Sequence, residues 1–135
     1  MIRAVWDPGV LIAAVINPEG APGRGLRALV DQRWTLVLSP LLLDELHSVL
    51  RRPRFRRYLT ETDAATFAGD VAGLGEVWDD PPDRLRLTRD PGDDYLVALA
   101  LAAQADCIVS GDRDLHEAPH LGIEVLVPQA FLTRL

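Results

Sequence analysis

The chain has 135 residues, 48% of them hydrophobic, with 20 acidic and 14 basic side chains and a formal net charge of −6. That length buries one real core and is too short for two typical domains, so a single domain over 1–135 is expected. The acidic balance argues against an extended nucleic-acid coat or an anionic membrane surface as general partner, while leaving room for a local basic patch. All 14 basic residues are Arg, so chemistry that needs a lysine amine is excluded.

IRAVW (2–6) reads as a short buried strand, and VLIAAVI (10–16), after Pro8 and Gly9, as a helix with Asp7 at the junction. NPEGAPG (17–23) is a loop by its Pro and Gly content, and Pro22 suits the first turn of a second helix, RGLRALVDQ. TLVL (35–38) is the next strand. Ser39 as N-cap and Pro40 at the first helical position open LLLDELHSVLRR, which Pro53 closes. ETDAATFAGDVAGLGEVW (61–78) reads as a weaker helix started by Thr60 and loosened by three glycines, and DDPPD as a loop. RDPGDD leads into YLVALALAA, apolar on every side and expected to be wholly buried. CIVS (107–110) is a strand ended by a turn, and its Cys107, the single cysteine, excludes an intrachain disulfide and reads as core. GIEVLVP holds the last strand, before a short helix at QAFLTRL. Strands apolar throughout that alternate with helices indicate an α/β fold with a parallel sheet covered on both faces. No apolar stretch reaches the roughly 20 residues of a bilayer span, and Asp7 and Pro8 interrupt any signal-like segment, so a cytoplasmic protein is expected.

In an open parallel sheet, ligands bind beyond the carboxyl ends of the strands. Asp7 follows the first strand directly, and Asp112 follows CIVS after one glycine; if those strands are neighbours, the two acids converge. On the helix after Pro40, Leu41, Leu43, Leu46, Val49 and Leu50 span an apolar arc that includes Glu45 and leaves out Asp44 and Ser48. An unpaired glutamate on a buried side costs roughly several kcal/mol. Glu45 is therefore expected to face a cation or a polar cleft; the plainer alternative is a glutamate at the stripe's edge reaching to water. Asp94 opens the fully apolar helix, as a site acid or as an ordinary cap, a role Asp93 could serve equally. Turn chemistry is likewise the plain alternative for Asp7 and Asp112. Four acids at one sheet edge repel unless a cation neutralises them, and an all-oxygen donor set suits Mg²⁺ or Mn²⁺ with phosphate chemistry.

RRPRFRR (51–57) packs Arg51, Arg52, Arg54, Arg56 and Arg57 around Phe55 in an otherwise acidic chain. It reads either as a patch that guides RNA by phosphate pairing and stacking, or as a solvated helix end with arginines on the last carbonyls. His47 reads as a surface residue, and His116 and His120 as loop residues without ligand spacing.

Receiver domains and haloacid-dehalogenase-like phosphatases also keep an aspartate after the first strand, but both use a lysine, and the phosphatases need a second aspartate where this chain has Gly9. With Asp7, the stretches LSPLLLDELHSVLRRPRF (38–55), RDPGDDYLVALALAAQADCIVSGDRDL (89–115) and GIEVLVPQAFL (122–132) resemble the PIN-domain ribonucleases in order and spacing over nearly the whole chain. The subgroup most similar contains toxins of bacterial toxin–antitoxin pairs. The resemblance implies a three-layer α/β/α sandwich around a parallel sheet of about five strands, and a metal-dependent endoribonuclease cutting single-stranded RNA, with Mg²⁺ or Mn²⁺ held by Asp7, Glu45, Asp94 and Asp112. It implies a supporting tier of Asp114, Asp90 and Asp93, an antitoxin partner and a homodimer. The family commonly reads Asp-Thr-Asn or Asp-Thr-Ser where this chain reads Asp-Pro-Gly. Pro8 removes a hydroxyl and a backbone N–H, and Gly9 removes a polar side chain. Losses of this kind cost about 10-fold to 100-fold in metal affinity or activity, so a weakened site is expected. The alternative is a PIN-fold RNA- or protein-binding module that has lost turnover.

Overall fold

A computed structural model describes residues 1–81, 94–118 and 122–135. Its strands are β1 (Arg3–Trp6), β2 (Thr35–Leu38), β3 (Glu76–Val77), β4 (Cys107–Val109) and β5 (Glu124–Leu126). They form one parallel sheet in the order β3-β2-β1-β4-β5. The helices are α1 (Pro8–Ile16), α2 (Ala21–Val30), α3 (Pro40–Leu50), α4 (Glu61–Leu74), α5 (Asp94–Ala102), α6 (Arg113–Glu117) and α7 (Pro128–Leu132), with a 3-10 turn at Pro53–Phe55. This is the expected α/β architecture, a five-stranded parallel sheet flanked by helices.

The topology follows from the strand sequences. After a polar first residue in β1 and β2, AVW, LVL and the whole of CIV are apolar, and Val5, Leu36, Val37, Leu38, Ile108 and Val109 are fully buried, as strands covered on both faces require. β1 pairs with β2 on one side (Ala4↔Leu36) and with β4 on the other (Ala4↔Cys107, Trp6↔Val109). The chain leaves β1 in one direction across the sheet and returns on the opposite side. The crevice beyond the carboxyl ends of β1 and β4 is therefore the switch point, where open α/β sheets bind ligands.

An aromatic cluster holds α2 and α7 to the sheet. Trp6 stacks on Trp34 with ring centroids 4.9 Å apart, and Phe131 meets both edge-on, at 5.7 Å from Trp6 and 4.9 Å from Trp34. Each such pair contributes about 0.5–1.5 kcal/mol beyond its buried area. The Trp34 indole donates to the Gly25 carbonyl at 2.9 Å, and a Cβ at Gly25 would lie 2.6 Å from the Trp6 ring, so only glycine lets α2 approach this closely. Because Trp6 faces α2, strand alternation turns its neighbours Val5 and Asp7 away from that cluster.

Several local expectations need correction. The loop after α1 is shorter than 17–23, because Ala21, Pro22 and Gly23 already form the first turn of α2. α3 ends at Leu50, and Pro53 starts the 3-10 turn rather than ending the helix itself. The helix expected over 61–78 stops at Leu74. A Cβ at Gly75 would sit 2.4 Å from Leu38, so the bare backbone lies against β2, and Glu76–Val77 pair with Val37–Leu38 as an edge strand. A two-residue strand carries no periodicity, so a pattern search misses it. α5 is buried at Asp94 and from Leu96 to Ala100, but Tyr95 is half-buried and Leu101 and Ala102 reach solvent.

Candidate functional site

Asp7 stands at the end of β1, where its N–H donates to the Val109 carbonyl at 3.1 Å and so continues the β1–β4 ladder by one residue. It is also the N-cap of α1. Its Oδ1 accepts from the Val10 N–H at 2.8 Å, and its Oδ2 accepts from the Ser110 hydroxyl. The candidate site acid is thus also the capping acid of α1. Ser110 is fully buried, and its Oγ also accepts from the Asp112 N–H at 3.0 Å. Asp112 in turn caps α6, its Oδ1 accepting from the Asp114 N–H at 2.9 Å. Ser110 therefore joins the two acids that follow neighbouring strands. Burial pushes the Asp7 carboxyl above its ordinary range; the charges of Asp112 and Glu45 push the same way, opposed by the bonds from Ser110 and Val10.

Glu45 reaches the same place from α3. Ser39 caps that helix, accepting from the Leu42 N–H at 3.3 Å, and Leu42, Leu46 and Leu50 form its buried stripe. Glu45 lies at the stripe's edge and is exposed rather than buried, which removes the desolvation cost expected for it. Its Oε2 accepts from the hydroxyl of Tyr95 in the first turn of α5. Asp94, the first residue of α5, is 3% exposed, and Asp114 is half-buried in the first turn of α6. Asp90, Asp93 and His120 lie outside the described residues.

The structure thus brings Asp112 and Glu45 each within electrostatic reach of Asp7, and places Asp94 beside the tyrosine that holds Glu45. Among the described residues, no three His, Cys, Asp or Glu side chains close around a single metal position. The donor set nevertheless fits a hard divalent ion in kind: it is all oxygen, and neighbouring acids raise the Asp7 carboxyl, a repulsion that a cation would relieve.

Two clefts flank Asp7. One, of about 340 Å³, is bordered by Asp7, Glu45 and Arg54 over apolar walls from Pro8, Ile12 and Phe55. The other, of about 400 Å³, lies between Asp7, Asp112, Pro22 and Pro128. Gly9 lines both, and a Cβ there would sit 3.3 Å from Asp7 Oδ1.

The basic run divides. Arg56 turns inward and donates to the Leu50 carbonyl at the end of α3, so it follows the alternative of a helix-end arginine on a last carbonyl and not the reading as an RNA contact. Arg54 and Arg57 stack on their neighbours Phe55 and Tyr58, at 4.7 and 5.2 Å from the ring centroids, while Arg51 and Arg52 are exposed.

Sequence reasoning missed three residues. Ser110 was within reach of it, since the rule that selected Asp7 and Asp112 at strand ends applies equally to the last residue of CIVS. Tyr95 gave no signal, because its partner lies 50 residues away. His116 belongs to α6 rather than a loop, and its Nε2 lies 2.6 Å from the Ser110 carbonyl oxygen.

A sequence model of the PIN domain matches residues 3–114. The uncharacterized protein MJ1680 of Methanocaldococcus jannaschii is 29% identical over 114 residues, covering 84% of this chain and 73% of that protein. Among solved structures, VapBC2 from Rickettsia felis bound to a DNA fragment from their promoter superposes with a TM-score of 0.67 at 14% identity, over 92% of this chain and 97% of that one. PAE2754 from Pyrobaculum aerophilum gives a TM-score of 0.67 at 16% identity, over 98% and 88%.

Proposed function

We propose that this chain, which belongs to the PIN domain family, is an endoribonuclease that depends on Mg²⁺ or Mn²⁺ and hydrolyses phosphodiester bonds of single-stranded RNA. The observation that carries this reading is the position of Asp7 at the switch point, with Asp112 and Glu45 both acting on its carboxyl. Asp7, Glu45, Asp94 and Asp112 would hold the ion, which supplies a water acidic enough to attack phosphorus and a counter-charge for the leaving oxygen.

The chain's own contribution is preorganisation. The Val10 N–H and the Ser110 hydroxyl fix the two oxygens of Asp7, the Asp114 N–H fixes Asp112, and the Tyr95 hydroxyl fixes Glu45. Carboxylates held by protein donors keep one orientation when substrate arrives. The apolar walls beside Asp7 shape a cleft with room for a nucleotide. Asp114, Asp90 and Asp93 are assigned supporting roles, and exposed members of the 51–57 run contact RNA phosphates. The same reading makes the protein the toxin of a toxin–antitoxin pair and a homodimer. It is tested by co-purification with the product of a small neighbouring reading frame and by the mass of the assembly.

Purified protein cleaves single-stranded RNA with Mn²⁺, stops with EDTA, and fails as Asp7→Asn or Asp94→Asn. An inert wild type that still binds RNA supports the second reading, a PIN-fold binding module. That reading draws on Pro8 and Gly9, and on Asp7 having both oxygens already taken by protein donors.

A further inference from the structure

Among the described residues, Arg54 is the one arginine of the 51–57 run that lines the cleft bordered by Asp7 and Glu45. Its guanidinium stands 4.7 Å from the ring centroid of Phe55, and Phe55 is 8% exposed, so a ring anchored in the core holds the cation in place. No carboxylate among the described residues forms an ion pair with it. Two acids, one opposing cation held by stacking, and apolar walls between them are chemically complementary to a nucleotide: phosphate to the arginine, ribose and base to the walls. The chain carries a net charge of −6, so a phosphate approaching these acids meets repulsion that a local guanidinium offsets.

Resting on the ribonuclease reading, we propose that this cleft is a nucleotide subsite in which Arg54 binds the RNA phosphate adjacent to the one cut. Gly9 fits the same path. It lines both clefts, so a single strand running from one cleft to the other passes a residue without a side chain.

The test uses the full chain and a fluorescein-labelled single-stranded oligoribonucleotide, with anisotropy titrations in EDTA across a salt series, followed by cleavage kinetics with Mn²⁺. Arg54→Ala weakens binding about tenfold, the range for one charge-assisted hydrogen bond. It also flattens the slope of log affinity against log salt by about 0.7, the value for one single-strand phosphate contact. In cleavage it raises KM by a similar factor and leaves kcat nearly unchanged. Arg54→Lys keeps the salt slope and recovers only part of the affinity, because an ammonium cannot stack on Phe55. Arg33→Ala, which removes an exposed guanidinium before the amino end of β2, changes affinity and KM much less than Arg54→Ala. Unchanged salt slope and KM in Arg54→Ala, with wild type binding or cutting RNA, overturn the subsite alone. A wild type that neither binds nor cuts RNA overturns the ribonuclease reading and the subsite with it.

Discussion

The Ser110 hydroxyl donates to the carboxylate of Asp7, a residue 103 positions earlier in the chain. The bond exists because β1 and β4 pair in parallel with Trp6 opposite Val109, which sets the next residue of each strand side by side. Ser110 also accepts from the Asp112 N–H, so one buried hydroxyl serves both acids.

Ser110→Ala leaves Asp7 without one donor and the Asp112 N–H without its acceptor. Losing an orienting partner of this kind lowers metal-dependent cleavage about 10-fold to 100-fold. Stability falls by about 1–3 kcal/mol, since a buried polar group loses its partner. RNA cleavage with Mn²⁺ and urea unfolding measure the two effects; wild-type activity in the folded variant would remove Ser110 from the site.

Gly9→Asn, alone or with Pro8→Thr, raises metal-dependent cleavage by restoring polar groups beside Asp7. The new Cβ would meet Asp7 Oδ1 at 3.3 Å, so the carboxylate must move by a few tenths of an ångström. Pro8 occupies the first turn of α1, where its fixed φ is favourable, so Pro8→Thr costs about 0.4–1 kcal/mol in stability. No gain in activity with either change would refute a site weakened by Asp-Pro-Gly.

Burial pushes the Cys107 thiol up to about 11, with Asp106 and Glu124 adding to the shift. The folded protein therefore holds a neutral thiol at pH 8 and resists iodoacetamide until denaturant unfolds it. The sign for stability follows: the thiol's contribution is full below the ordinary value of 9.0 and is lost as pH rises toward 11. Rapid alkylation of the native protein would contradict this burial.

Hydrogen bonds from Arg3 and then Trp78 hold the Glu76 carboxyl below its usual range. A lowered acid stabilises the fold above its unfolded pKa, and that contribution disappears as pH falls through the folded value. Glu76→Gln thus lowers the melting temperature at pH 7 and converges with wild type in acid. The pair is at the surface, at 29% and 44% side-chain exposure, so the effect is small, at about 0.2–1 kcal/mol. Parallel melting curves at pH 7 and pH 3 would expose an error in assigning this clamp to β3.

Much of the fold was legible because its signals are local. Ser39 and Thr60 mark helix starts through hydrogen bonds that reach only three residues along the chain, Pro40 does so through its fixed φ in the first turn, and the strand cores are unbroken apolar runs. β3 was hidden because it exists only through the bare Gly75 backbone lying against β2. Asp7 and Asp112 were readable as residues that follow strands. Glu45 was selected by its helical phase, but its exposure was not readable, since that depends on what lies across the cleft.

The sequence by itself determined the alternation of helix and apolar strand, the positions of the caps and the acids that follow strands, because each depends on neighbours a few residues away. Only the tertiary structure decided which acids share a neighbourhood, that Ser110 and Tyr95 hold them, and that Arg54 rather than Arg56 faces their cleft. Those outcomes depend on strand register and on packing between elements up to 103 residues apart, and no local pattern encodes such distances.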